Sequence, residues 1–351
     1  MGTLPHTSTD RAMHIALGLD IPFWPQLPAI TYYEDMFVQF ARGFPGVEID
    51  TANEKIKFHL QRFEEELVSY AERAGNPDEF ALDKNSSLTY SQFLQSNLDS
   101  YYAVRGHVTG PINLGFQIMD DDGRPIIYND EVRGLLFYYL QKTVNIQYRQ
   151  LSSKNSNAFV WLDDPGFWWV FSGMTGYNDV LAKNEYLDFL DGIEGPRAVH
   201  LCVNINLPYL VDLGLDILSF DAYHMEIMPA EYARSLGVHF DRGGVVSWGI
   251  VPTESATLNK ESPETLATKL TGFWNILANT SGIDIVQIAE QSMLAPARCC
   301  LRNPQESGPL RKQASMDSKP DSGSPIEETL VEKAFSYLKD LSSMFRDIYA
   351  V

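Results

Sequence analysis

Cysteine is scarce in this chain, three among 351 residues, and its placement is informative. His200 and Cys202 stand two positions apart, and Cys299 and Cys300 are adjacent. Neighbouring cysteines rarely bridge each other, because the ring they would close is strained, and a secreted disulfide scaffold would use more of them. In a reducing compartment, histidine and cysteine brought together read as a metal site. Zinc takes imidazole nitrogen, thiolate sulfur and carboxylate oxygen in a tetrahedral set, and Asp221 offers the oxygen. Two thiolates, one imidazole and one exchangeable position make a catalytic centre. A thiol bound in the open position loses its proton at neutral pH and becomes a nucleophile, which is what alkyl transfer to sulfur needs. Taken alone, His-x-Cys also describes a core histidine beside a buried thiol, and the adjacent pair could be two small loop residues. The elements that carry these residues decide.

Eight short apolar runs read as strands, at residues 2–4, 21–24, 103–109, 158–162, 198–203, 216–220, 244–251 and 283–288. Helical periodicity marks residues 55–74, 129–149, 186–193, 229–236, 263–279 and 327–349. Strands alternating with helices predict a parallel sheet, and eight such units predict closure into an α/β TIM (β/α)8 barrel. No Gly-x-Gly-x-x-Gly fingerprint supports a dinucleotide fold. Residues 37–100 are long for one crossover, so the segment inserted after the second strand is expected to add helices or a hairpin over the barrel mouth. Residues 303–325, rich in Ser, Pro, Lys and Asp, read as a flexible linker. The expected organisation is a barrel over residues 1–302, that linker, and a C-terminal helix over 326–351 packed on the barrel.

In such a barrel, functional side chains sit at the carboxyl ends of the strands. His200 and Cys202 alternate along one predicted strand, so both point to one face. Asp221 ends the next strand, and Cys299 and Cys300 follow the last. The rest of the composition excludes other classes. A net charge of −19 provides no basic footprint for nucleic acid and disfavours anionic membrane surfaces. No window has the roughly 18 apolar residues of a membrane span. Residues 1–11 lack the charged and apolar regions of a signal peptide, so a cytoplasmic location is expected. With 44% hydrophobic and 12% aromatic residues, the chain has ample material for a large core.

Seven stretches occur together in order: Gly2-Thr3-Leu4-Pro5-His6, Phe23-Trp24-Pro25-Gln26-Leu27-Pro28, Thr109-Gly110-Pro111-Ile112, Leu162-Asp163-Asp164-Pro165, Val199-His200-Leu201-Cys202, Leu218-Ser219-Phe220-Asp221 and Ser292-Met293-Leu294-Ala295-Pro296. With them the chain resembles the catalytic barrel of cobalamin-independent methionine synthase, in the uroporphyrinogen decarboxylase and methionine synthase superfamily, and especially its short single-barrel members. The resemblance implies zinc bound by a His-x-Cys pair, a carboxylate on the next strand and a late cysteine after a proline. His200 and Cys202 match the pair. Asp221 stands where the family has Glu and is one methylene shorter, which leaves it either a ligand or an acid orienting a ligand from behind. Cys299 or Cys300 matches the late cysteine, with one residue more than the synthase spacing. Gly2-Thr3 matches the turn that holds homocysteine, with His6 able to reach the same mouth. Asp163 matches the catalytic, substrate-binding acid that pairs with its ammonium. Plainer readings stand beside these. Asp163 could be a helix N-cap before Pro165, His6 a surface histidine, Trp24 a core residue, Thr109-Gly110-Pro111 a turn and His224 a solvated loop residue.

The long synthases also carry a duplicated N-terminal barrel, for which 351 residues leave no room. They place a proton-donating histidine after the seventh strand, where Val246-Ser247-Trp248-Gly249-Ile250 has none. A folate nitrogen leaves poorly unless protonated, whereas a methyl on cobalt leaves cob(I)alamin behind without a proton. The expectation is therefore a zinc-dependent methyltransferase acting on a small thiol, with homocysteine the acceptor. Its methyl donor would be a methylcobamide or corrinoid protein in preference to methyltetrahydrofolate. Two other readings remain: a non-catalytic metal or small-molecule binding barrel, and a uroporphyrinogen decarboxylase-like lyase. The lyase would need arginines in the N-terminal turn to hold carboxylates, and the segment from Gly2 to Thr7 has none.

Overall fold

Strands covered on both sides read as near-continuous runs of apolar residues, as Ala158–Asp163 and Val245–Val251 do. They are found in a computed structural model that describes residues 2–82, 85–172, 176–202, 206–298 and 325–350. The chain divides into two units, residues 2–195 and residues 196–298 with 325–350.

In the first unit, β1 (Val47–Asp50) and β2 (Lys55–Phe58) form an antiparallel hairpin, and β3 (Val104–Thr109) lies parallel to β4 (Ala158–Asp163). Every residue of β4 is buried. Single parallel bridges, Thr3 to Gln26 and Phe23 to Arg105, bring the N-terminal segment alongside. The crossover from β3 to β4 runs through the helix Asp130–Ser152. Asn129 caps it by accepting from the Glu131 and Val132 amides, which satisfies two of the otherwise unpaired first-turn donors. Leu136, Leu140, Val144 and Leu151 form its buried stripe. From the same helix, Gln147 accepts from the His107 amide at 2.8 Å and donates to the His107 carbonyl at 3.2 Å. One side chain thus stands in for a strand partner to β3.

In the second unit, β5 (Arg197–Leu201), β6 (Ile217–Asp221), β7 (Val245–Val251) and β8 (Ser292–Pro296) are parallel and adjacent in that order. The helix Pro263–Ser281 follows β7. A reciprocal Ser262–Thr265 capping box opens it and Gly282 closes it. Its Trp274 packs on Phe345 and Tyr349 of the terminal helix Pro325–Tyr349, with ring centres 4.8 and 5.5 Å apart. That helix also packs against β8. No described helix is long and apolar enough to cross a membrane.

The structure corrects the sequence reading in several places. A closed eight-stranded TIM barrel is not formed among the described residues. Segments 2–4 and 21–24 contribute one bridge each in place of full strands. The last strand is Ser292–Pro296, and most of the predicted 283–288 strand belongs to the helix Ile285–Glu290. Asp284 starts that helix by accepting from the Val286 amide at 2.7 Å. A short apolar run fits either period, and the cap decides it. Residues 55–74 likewise split. The alternating Lys55-Ile56-Lys57-Phe58 pairs as a strand, and the helix begins at Leu60. The predicted insert of residues 37–100 does hold a hairpin and additional helices. Apart from Pro325, which opens the terminal helix, the predicted linker of residues 303–325 lies outside the described residues.

Candidate functional site

Register partners on parallel strands share a face, and side chains alternate along each strand. In the second unit His200 pairs with Ser219, Ser219 with Ser247, and Ser247 with Met293. One step toward the carboxyl ends, Asp221 pairs with Gly249 and Gly249 with Ala295. Leu201 pairs with Phe220, so Cys202, the next residue, comes level with Asp221. His200, Cys202, Ser219 and Asp221 therefore share one face. The opposite face, with Leu218, Phe220, Val246 and Trp248, is buried, and Trp248 packs toward Trp274 of the helix Pro263–Ser281.

His200 is buried, and its Nδ1 lies 2.9 Å from the buried Ser219 Oγ. That contact occupies one ring nitrogen and turns Nε2 to the other side of the ring. Cys202 is half-buried. Asp221 is engaged more heavily. Its side chain is 5% exposed and accepts from the His224 amide at 3.1 Å, from His224 Nδ1 at 2.8 Å and from Arg298 Nε at 2.8 Å. Burial alone would raise its carboxyl, but the bonds from His224 and Arg298 outweigh it and hold the group below the ordinary carboxylate range. Two amides of the β6 exit, Ala222 and Tyr223, donate to the Gly249 carbonyl, and the Tyr223 hydroxyl donates to Glu261. Gly249 has no room for a side chain, because a Cβ there would stand 2.6 Å from the Phe220 carbonyl oxygen and 3.1 Å from Ala297 Cα.

Zinc fits part of this set. His200 and Cys202 are an imidazole and a thiol on one face, and Ser219 holds the histidine by its other nitrogen, as outer partners of metal-binding histidines do. Asp221, the expected carboxylate partner, has both oxygens engaged by His224 and Arg298. Among the described residues, no three His, Cys, Asp or Glu side chains are grouped as a metal ion requires. Cys299 and Cys300 lie outside the described residues. His224, expected as a solvated loop residue or an extra polar group, is held by Asp221 at the β6 exit.

In the first unit, Thr109 pairs with Asp163 at the ends of β3 and β4. Asp163 is buried, which pushes its carboxyl up, and the nearby Arg105 charge opposes the shift. It does not cap the following helix. The capping acid is its neighbour Asp164, which accepts from the Asn113 amide at 2.6 Å and the Ile112 amide at 3.3 Å at the start of the helix Pro111–Gln117. Burial pushes Asp164 up to about 7 against those bonds. The Thr3 hydroxyl donates to Gln26 Oε1 at 3.0 Å, and Gln26 in turn donates to Gln39. Gly2 lies so close to His107 that a Cβ would fall 2.0 Å from the ring. His6 is fully buried, which overturns the surface reading. Trp24 is a core residue. It stacks on His107 at 3.8 Å and donates to Gln147. Burial holds His107 well below the ordinary histidine range, so its ring is neutral. Thr109 ends β3 and donates to the Met36 carbonyl at 2.8 Å, with Gly110-Pro111 opening the next helix.

Sequence reading missed Ser219, Arg298, Asp164 and His107. Ser219 was within reach, because it precedes Asp221 by two positions and so shares its face.

No family model matches the chain, and no curated protein matches it in sequence. Solved structures do match. One is a B12-independent methionine synthase from Shewanella sp. W3-18-1 in complex with selenomethionine, at a TM-score of 0.52 and 13% identity, covering 98% of this chain and 90% of that one. Another is a putative vitamin-B12 independent methionine synthase from Listeria monocytogenes, at 0.51 and 12%, covering 97% and 84%. The fold is that of the B12-independent methionine synthases. At these identities the likeness speaks for fold alone, and the chemistry is argued from the residues.

Proposed function

We propose that this protein is a zinc-dependent methyltransferase that moves a methyl group from a folate-type nitrogen donor to a thiol, with homocysteine the acceptor. One observation carries the reading: His200 and Cys202 share a face at the carboxyl end of β5, with His200 Nδ1 taken up by Ser219. His200 through Nε2 and Cys202 would hold the metal, joined by Cys299 or Cys300. Bound zinc supplies an acidified thiol, and so a thiolate nucleophile at neutral pH. Ser219 holds the His200 ring by Nδ1, which orients Nε2.

The corrinoid donor, and with it a corrinoid protein partner, is set aside. Both structural neighbours are described as B12-independent. The corrinoid expectation also rested on the missing histidine after the seventh strand; an imidazole stands instead at the exit of the neighbouring β6, where His224 bonds Asp221. The test is methyl transfer to homocysteine by zinc-loaded protein, with methyltetrahydrofolate and methylcobalamin as alternative donors. Methionine formed from the folate supports the proposal. Transfer from methylcobalamin only would restore the corrinoid reading, and no transfer from either would leave a binding protein.

A further inference from the structure

Arg298 follows β8 by two residues, and its guanidinium reaches across to the end of β6. Nε donates to Asp221 Oδ2 at 2.8 Å, and this is its one bond among the described residues, which leaves Nη1 and Nη2 uncommitted. The two partners differ sharply in exposure: the Asp221 side chain is 5% exposed and the Arg298 side chain 44%. Asp221 is itself held by two contacts from His224. The arrangement is a buried carboxylate that fixes the inner edge of a guanidinium and turns its outer edge to solvent, over the face that carries His200 and Cys202. A surface ion pair would leave both partners mobile and contribute little. A guanidinium fixed through Nε instead offers two parallel N–H donors in the geometry that a carboxylate accepts. A protein of net charge −19 does not attract carboxylates by its overall field, so an anionic substrate here needs a local cation.

We propose that Arg298 anchors a substrate carboxylate at the strand ends of the second unit, and that Asp221 is the positioning residue that aims it. The proposal rests on the amino-thiol methyltransferase reading above. The carboxylate could be that of the acceptor amino acid or one on the donor. Asp221 then serves the site through Arg298 and need not be a zinc ligand.

The test measures binding by calorimetry to zinc-loaded protein, with three probes: homocysteine, 3-aminopropane-1-thiol as its analogue without the carboxylate, and methyltetrahydrofolate. Arg298→Ala should weaken homocysteine by about 10- to 100-fold and leave the aminothiol within about twofold, with zinc content unchanged. Arg298→Lys keeps the charge but loses the paired donors, and should fall between. Asp221→Asn should retain zinc and weaken homocysteine by a smaller factor, the signature of a residue acting through another. A loss confined to methyltetrahydrofolate would assign the same anchor to the donor. Equal losses for homocysteine and the aminothiol, or no loss with any probe, would overturn the anchor alone. Loss of zinc from Asp221→Asn would overturn the positioning role. Wild-type protein that binds zinc but none of the three probes would overturn the methyltransferase reading and the anchor with it.

Discussion

Replacing Ser219 by alanine isolates the contact that makes His200 suited to a metal. The substitution removes one oxygen from a site that is 1% exposed, and His200 beside it is 3% exposed, so solvent cannot easily replace the lost partner. Nδ1 sits 2.9 Å from that oxygen, and a buried donor stripped of its partner costs about 1–3 kcal/mol. The volume change is too small for a cavity cost of comparable size. Removing an outer partner from a metal-binding histidine lowers metal affinity by roughly 10- to 100-fold, or about 1.4–2.7 kcal/mol. The expected outcome is therefore a loss on both scales. Urea unfolding of metal-free protein reads the first, and competition with a chromogenic chelator reads the second. Ser247→Ala, in the same layer one strand further on, is the control and should stay within a few fold of wild type. If Ser219→Ala matched wild type in both measurements, the hydrogen bond would not be holding the imidazole of His200 in place, and the argument from its orientation would fail.

Two further outcomes follow from the same geometry. Asp164 titrates near 7 in the folded protein and near 3.9 when unfolded. Its protonated form is the one the fold favours, so its contribution is complete below about pH 4 and is lost as pH rises to about 7. The stability of wild type relative to Asp164→Asn should fall by up to about 4 kcal/mol between pH 4 and 7.5, measured by urea unfolding at each pH, and a flat difference would contradict the burial argument. Gly249→Ala places a methyl against backbone on two neighbouring segments, where no side chain can swing away. It should destabilise by about 1–3 kcal/mol and disturb the Asp221 layer, readable as a lowered thermal midpoint together with weaker zinc binding.

Much of the fold was legible in the sequence because long periods and caps are local. The helices Asp130–Ser152 and Pro263–Ser281 announce themselves through their apolar stripes and through Asn129 and Ser262. The strands β3 to β7 are bounded by Gly, Pro and Asp. The last strand was misplaced because Ile283 to Ile288 is apolar at a length where helix and strand periods cannot be told apart, and one Asp284 contact settles it. The site was legible as residue types but not as partners. Asp221 could be placed at a strand end, yet its engagement by Arg298 depends on a side chain 77 residues away reaching back across β7. The capping role weighed for Asp163 falls to Asp164, one position on, and for another helix, because the Ile112 and Asn113 amides it accepts from lie 52 and 51 residues earlier in the chain. His6 and His107 are buried by contacts with distant segments, which no local pattern announces.

The central claim is that His200 and Cys202 hold zinc, and the direct measurement is metal content by atomic absorption after purification without chelators. Wild type is predicted to carry one zinc per chain and Cys202→Ala much less, with the fold retained by circular dichroism. Wild-type protein that holds no zinc, and takes up none when it is supplied, would contradict the account.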